Sequence, residues 1–246
     1  MESTYEPATE APAPTPAPTL VLHWLEQSRS HRILWLLEEL HLPYTLKVYK
    51  RDPRTFLADP ALKQVHPRGK SPVLEDNGMI IAESGLIIEY LISKYGKDMK
   101  PKTEGEEMKV KYYLHYAEGS LMPIMLLLFV TNNIRSAKVP FFIRPIARTI
   151  ANKTDDAFAG PDATSQLEFL ESQLANSSTG YFVGGSLSGA DIILIYPLQV
   201  AVLRAGLTQE KYPLLYRWLE AMQAREAYKR ADEVVAEQGF GSIVKL

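Results

Sequence analysis

The residues able to do chemistry cluster in one stretch, Ser71-Pro72-Val73-Leu74-Glu75-Asp76-Asn77-Gly78, continued by Met79-Ile80-Ile81-Ala82-Glu83-Ser84. Asp76-Asn77-Gly78 is a hairpin signal, because a tight two-residue turn needs positive φ and Asn and Gly tolerate it. Pro72 removes a ladder donor and belongs at a strand's first residue or at an edge. It pushes Ser71 into an extended conformation, which leaves the Ser71 amide and carbonyl free to pair with something strand-like. Glu83 and Ser84 fall at a helix start, where unpaired N–H groups and the helix dipole favour an anion. A backbone edge, a carboxylate and an anion-friendly helix end therefore lie close together. That set suits a small peptide carrying both an amine and carboxylates. The chain has no cysteine, so thiol nucleophiles and zinc–thiolate sites of its own are excluded, and any thiol chemistry must use a thiol brought by a ligand.

The elements that must position these residues can be read in order. Leu20 to Leu25 is a short apolar run expected to form a buried strand. Ser28 to Leu40 has the apolar spacing of an amphipathic helix (Ile33, Leu34, Leu36, Leu37, Leu40), with Ser28 or Ser30 as its natural N-cap. Glu38 and Glu39 near its far end oppose the dipole. Tyr44 to Tyr49 alternates as a second strand, and Thr55 to Val65 reads as a weaker helix interrupted by Pro60. The loop His66 to Lys70 leads into the hairpin, and a helix is expected from Glu83 to about Tyr95. The order β-α-β-α-β-β-α implies a parallel pair with a right-handed crossover plus an antiparallel edge. Residues 97–106 read as a linker. Everything from residue 107 to 246 is helical in pattern: a long helix from Glu107 to about Arg135 kinked at Pro123, one or two helices from Pro140 to Ala175 broken near Gly160-Pro161, and two amphipathic helices over Tyr212 to Met222 and Ala224 to Glu237. Between them Ser188-Gly189-Ala190-Asp191 is a capping-box variant opening a helix apolar all round to about Leu203, hence buried.

Composition narrows the function classes. At 246 residues, 46% hydrophobic and net charge -2, the chain can bury a sizeable core and has no basic field to hold nucleic acid. Five scattered histidines lack metal-ligand spacing, so no metal is expected. Residues 1–19 read as an extended Pro/Ala-rich tail with neither the basic nor the apolar region of a secretory signal. The longest apolar run, Leu121 to Val130, is too short to span a bilayer. Cytoplasm is the default compartment, with association to an internal membrane as the alternative.

In this order and spacing, the α/β half, the Ser-Pro hairpin, the Glu83-Ser84 pair, the linker and the capping-box helix resemble the glutathione transferase family over residues 20 to about 240. The stretches His23 to Leu37 and Tyr113 to Leu121 look most like its fungal branch related to yeast glutathione transferase I. The resemblance implies a thioredoxin-like, glutathione-binding domain over 20–96, an all-helical electrophile-binding domain over 107–246, glutathione as co-substrate and a homodimer. It implies that Pro72 is a cis-proline that exposes the Ser71 backbone to the cysteinyl part of glutathione. Glu83 and Ser84 correspond to the acid and serine that hold the γ-glutamyl group, and Lys70, with Arg68 or His66, to the cation for the glycyl carboxylate. Ser28 corresponds to the hydroxyl that supports the thiolate, with Ser30 and Arg29 as rivals in the same loop. Ser71 departs from the Val that many members carry there, which matters little where only backbone groups are used.

A free thiol has a pKa of about 8.5, and lowering it by about two units takes roughly 2.7 kcal/mol of differential stabilisation. A hydroxyl donor and a helix N-terminus can supply that. The thiolate would then attack a small hydrophobic electrophile held beside it, or reduce an organic hydroperoxide. Tyr112, Tyr116 and Met122 are the electrophile-pocket candidates, although such stripes are more often core. Ser28 is equally well read as a plain N-cap. The other function class left open is a non-catalytic glutathione-binding module in regulation or assembly. Disulfide exchange would need a protein cysteine, and hydride transfer a GxGxxG after the first strand; neither is present.

Overall fold

A computed structural model of the protein describes residues 19–137 and 139–241. The tail expected over residues 1–19 lies outside the described residues except for Thr19. Strand β1 (Leu20–Leu25) pairs in parallel with β2 (Tyr44–Tyr49), in register from Leu20↔Tyr44 to Leu25↔Tyr49, and helix α1 (Ser30–Glu39) forms the crossover. After the short helix α2 (Leu62–Val65), β3 (Val73–Asp76) and β4 (Met79–Ala82) form the hairpin, and β3 lies antiparallel on β1. The sheet order is β2-β1-β3-β4, with α3 (Ser84–Tyr95) following. Asn77 and Gly78 take φ of 49° and 85°, the double positive φ of the turn that suits a twisted hairpin. The four-stranded mixed sheet is thioredoxin-like.

Helix α2 is shorter than the Thr55-to-Val65 helix its pattern predicts. The Asp52 carboxylate accepts from the Arg54 and Thr55 amides at 2.8 Å each. It thereby offers this backbone a turn in place of a helix. Phe56 then adopts φ 61° and Arg51 bridges to Ala58. Helix α1 is buried from Ser30 through Leu37, more than its amphipathic spacing predicts. Its inner face packs on the sheet and its outer face is covered by helices from later in the chain. Arg29, the residue before its first, makes no side-chain capping bond, but Ser28 Oγ accepts from the Ser30 amide at 3.2 Å and so meets one of the first N–H groups of the helix. Glu38 and Glu39, which oppose the dipole, are held by Arg230 at 3.1 Å and by Arg225 at 2.6 Å.

A buried carboxylate clamps the hairpin to α3. Asp76 Oδ2 accepts from Tyr90 Oη at 2.8 Å, Lys94 Nζ at 2.8 Å and Tyr95 Oη at 2.6 Å, and Oδ1 accepts from Asn77 Nδ2 at 2.6 Å. Burial works to raise the Asp76 pKa, but Lys94 and the two hydroxyls outweigh it and hold the carboxyl below its usual range. A depressed carboxylate stabilises the fold above its unfolded pKa of about 3.9 and loses that contribution as pH falls through the folded value. Asp76→Ala is expected to destabilise the protein by about 2 kcal/mol at pH 7, measured by urea unfolding. The difference should shrink below about pH 4, where the wild-type carboxylate also loses its charge.

The helical part comprises α4 (Glu104–Tyr116), α5 (Met122–Arg135), α6 (Arg144–Thr154), α7 (Gly160–Ala175), α8 (Gly189–Arg204), α9 (Pro213–Gln223) and α10 (Glu226–Glu237). Helix α4 begins inside the expected 97–106 linker because Thr103 caps it, accepting from the Glu106 amide at 3.1 Å. Glu104, Glu106 and Glu107 favour its positive end. The expected kink at Pro123 takes the form of a wider, π-helical turn over Ala117–Leu121. Proline has no N–H and its ring crowds the preceding turn, so widening that turn relieves both. The same device occurs at Asp155–Ala159 ahead of Pro161. In place of the break expected at Gly160-Pro161, the chain stays helical from α6 into α7. The run Glu104–Arg135 is 32 residues long and apolar enough by composition to cross a bilayer, contrary to the reading of Leu121 to Val130 alone, but half of its most apolar window is buried within the fold. Helix α8 is the core of this part: Ser188 accepts from the Ala190 amide at 3.3 Å and Asp191 from the Ser188 amide at 3.0 Å, which is the expected capping box.

Candidate active site

Strand register assembles the site. His23 faces Val73 across β1 and β3, and Val73 faces Ala82 across β3 and β4. The end of β1, the start of β3 and the end of β4 therefore share one edge of the sheet. That edge gathers the loop bearing Ser28, the Ser71-Pro72 peptide and the Glu83-Ser84 start of α3. The Ser71-Pro72 bond is cis.

Ser28 sits nearly buried in this loop, 7% exposed. Its Oγ donates to the Leu25 carbonyl at 2.7 Å, meets Ser30 Oγ at 2.7 Å and accepts from the Ser30 amide at 3.2 Å. Ser30 Oγ in turn lies 2.5 Å from Ser71 Oγ, which donates to the His23 carbonyl at 2.7 Å. The three hydroxyls thus form a continuous chain that links the β1–α1 loop to the entry of β3.

At the other end of the edge, Glu83 is the residue before α3 and has φ 75° and ψ 123°. A side chain other than glycine's is uncommon at that positive φ. The conformation turns the Glu83 carboxylate outward, 70% exposed, to 3.4 Å from the Arg68 guanidinium. Ser84 is buried at the first helical position, beside first-turn N–H groups that a helix leaves without internal partners. Lys70 is exposed, and Gly69 between it and Arg68 has φ +57°, the left-handed conformation that closes this loop onto His66 O at 2.8 Å.

The helical part reaches the same edge through Glu118, in the π-helical turn after α4. Arg29, next to Ser28, meets Glu118 at 2.7 Å. Arg32 is fully buried, bonded to Glu118 and donating to the Ile193 carbonyl at 2.7 Å. Burial pushes the Arg32 guanidinium down, and Glu118 partly restores it. Of the electrophile-pocket candidates, Met122 is buried one turn beyond Glu118. Tyr112 and Tyr116 are not brought to this edge. They stack on each other at 5.6 Å, face Phe169 of α7, and Tyr116 bonds Gln166. Leu114 and Glu118 occupy the opposite flank of the helix, since positions two apart point to opposite sides. Tyr112 instead lines a cavity of about 670 Å³ with Tyr113, Phe169, Tyr181 and Phe182. Burial pushes the Tyr113 hydroxyl up to about 12. Among the described residues no cluster of His, Asp or Glu is arranged to hold a metal.

Ser30, Ser71, Arg68 and Glu83 are all candidates in the sequence, but the hydroxyl chain, the Arg68–Glu83 pair and the part played by Glu118 are not. The Ser28-x-Ser30 spacing in one loop was the only available signal for the first. The others depend on strand register and on contacts between distant segments.

Two family models match the chain: the glutathione S-transferase N-terminal domain over residues 28–94 and the glutathione S-transferase C-terminal domain over residues 131–226. Glutathione S-transferase 1 of Saccharomyces cerevisiae is 37% identical over 224 residues, covering 88% of this chain and 95% of that protein. Glutathione S-transferase 3 of Schizosaccharomyces pombe is 36% identical over 221 residues, covering 89% and 88%. Among solved structures, a glutathione S-transferase from Actinobacillus pleuropneumoniae superposes with a TM-score of 0.68 at 29% identity, covering 91% of this chain and 94% of that one.

Proposed function

Because the chain belongs to the glutathione S-transferase family, we propose that it binds glutathione along the edge shared by Ser71, Glu83 and Ser84 and activates the thiol through Ser28. The chain is a glutathione S-transferase, an enzyme rather than a binding module. The observation that carries the site assignment is the pair of strand registers, which bring the Ser28 loop, Ser71 and the start of α3 together. The Ser71 main chain takes the cysteinyl unit as an added strand would. The Glu83 carboxylate takes the γ-glutamyl ammonium in exchange for Arg68, an exposed pair that is cheap to displace. Ser84 and the first turn of α3 take the adjacent carboxylate, and Lys70 takes the glycyl carboxylate.

The thiol proton leaves to water and Ser28 donates to the thiolate. Sulfur then attacks the electrophilic carbon: the S–C bond forms while the leaving group departs with its electron pair, or while an activated double bond takes it up. Arg29, Glu118 and Met122 bound the electrophile on the helical side. With an organic hydroperoxide the same thiolate takes the terminal oxygen, and a second glutathione completes the reduction to alcohol, water and glutathione disulfide. A homodimer is part of the proposal. It is supported by the exposed apolar side chains of Met79 and Ile80 on β4, of Leu86 on α3, and of Leu126, Val130 and Ile134 at four-residue spacing along one face of α5, since exposed apolar surface marks association.

Glu83→Gln tests the binding mode. It keeps the shape at φ 75° and removes the charge that meets the ammonium. The expected result is a KM for glutathione raised about tenfold with kcat within about twofold, the signature of lost uniform binding. An unchanged KM would remove Glu83 from the site.

A further inference from the structure

We infer that Ser30 is a positioning residue for the thiolate. It is the middle member of a hydroxyl relay, Ser71 to Ser30 to Ser28, that turns its O–H bonds toward the bound sulfur. The inference rests on Ser28 being the thiolate's donor and extends that reading to two hydroxyls deeper in the protein.

Four close oxygen–oxygen contacts run in series: the Leu25 carbonyl to Ser28 at 2.7 Å, Ser28 to Ser30 at 2.7 Å, Ser30 to Ser71 at 2.5 Å, and Ser71 to the His23 carbonyl at 2.7 Å. Three hydroxyls bring three protons, and a carbonyl can only accept. If Ser28 and Ser71 each serve a carbonyl, Ser30 has one proton for two neighbours, and one serine–serine contact holds no proton. The resting chain is therefore one donor short, and its shortage lies beside Ser30.

An acceptor arriving at Ser28 reorganises the chain. Ser28 turns its O–H from Leu25 to sulfur, Ser30 donates to Ser28, and Ser71 donates to Ser30. Both serine–serine contacts then hold a proton, the Leu25 and His23 carbonyls give up theirs, and all three O–H dipoles point toward the anion. Each move is a rotation about one Cβ–Oγ bond. The Ser30 amide, 3.2 Å from Ser28 Oγ, and the Leu25 amide, 3.3 Å from Ser30 Oγ, hold the oxygens in place while the protons turn. A hydrogen bond to a charged acceptor is roughly twice as strong as a neutral one, and bonds in a chain polarise one another by about 10–30% each. The relay accepts no proton itself, because an alcohol does not hold a second one at neutral pH; the thiol's proton goes to water. Ser30 is fully buried, so it acts through Ser28 and not by contact with the ligand.

The test is the pKa of the enzyme-bound glutathione thiol, followed by thiolate absorbance against pH, in the wild type, Ser28→Ala, Ser30→Ala, Ser71→Ala and the Ser30→Ala/Ser71→Ala double variant. The Kd of S-methylglutathione, which has no thiol to titrate, reports binding alone. The expected result is a rise of about 0.5 to 1 unit for Ser30→Ala with Kd within about twofold, a smaller rise for Ser71→Ala, and no further rise in the double variant. Additive shifts, or a Ser30→Ala shift accompanied by a loss of S-methylglutathione binding, would assign Ser30 a merely structural role and overturn the relay. So would a Ser30→Ala pKa equal to wild type while Ser28→Ala still shifts it. A Ser28→Ala pKa equal to wild type would instead overturn the parent assignment. If Ser30→Ala does not fold, Ser71→Ala alone decides: a wild-type pKa there overturns the relay.

Discussion

Ser28→Ala is expected to lower kcat/KM for conjugation at pH 6.5 by about 50-fold, with most of the loss recovered by pH 9. A thiol held near pKa 6.5 is about half thiolate at pH 6.5, whereas one returned to about 8.5 is roughly 1% thiolate. By pH 9 both forms are largely ionised, so the two enzymes should converge to within a few-fold. Ser28 already has an acceptor, the Leu25 carbonyl at 2.7 Å, so the hydroxyl must turn to serve sulfur. The exchange is favourable because the new acceptor is charged and the old one is not. Steady-state rates against an aryl halide from pH 5.5 to 9 would decide it. A variant profile parallel to wild type at every pH would mean that Ser28 only shapes the loop, and that the start of α1 or Arg29 lowers the thiol pKa.

Much of the scaffold was legible because its signals are local. The strand limits of β1 and β2 follow from an apolar run and an alternating one, the hairpin from Asn77-Gly78, and the start of α8 from Ser188 and Asp191. What was not legible depends on partners far along the chain. Arg32 lies in a pattern that reads as a helix's solvent side, yet it is fully buried because Glu118 and the Ile193 carbonyl arrive to meet it. Glu38 and Glu39 look misplaced against a helix dipole until Arg230 and Arg225 are seen opposite them. The site divides in the same way. Glu83, Ser84 and Ser71 are contiguous enough to be picked out as candidates, but the hydroxyl chain exists only because register sets Ser71 beside Ser30. Tyr112 and Tyr116 show the converse limit. A helical stripe says which residues share a face, not which neighbour the face meets, and here that neighbour is α7.

Asp191→Asn is expected to cost about 3 to 5 kcal/mol of global stability. The carboxylate is fully buried and accepts from the Phe182 amide at 3.2 Å, the Ser188 amide at 3.0 Å, Ser188 Oγ at 2.9 Å and Trp218 Nε1 at 3.2 Å. It therefore ties the loop before α8, the cap of α8 and the face of α9 to one point. Asparagine keeps one oxygen and turns an NH₂ onto donors, leaving buried N–H groups without acceptors. The cost should also depend on pH with a definite sign. Burial pushes the Asp191 carboxyl up to about 6 against the four donors, whereas the unfolded value is about 3.9. Between these values the folded state holds a proton that the unfolded state has released, so this group's contribution to stability falls as pH rises through the window. Asparagine does not titrate, and the advantage of wild type over the variant in urea unfolding should be smaller at pH 7.5 than at pH 4.5 by roughly 2 kcal/mol. Asp76, whose depressed pKa acts below about pH 4, is common to both proteins and cancels from the difference. An advantage that grows toward pH 7.5 would mean that the four donors outweigh burial and that the carboxylate, not the acid, is the form the fold is built around.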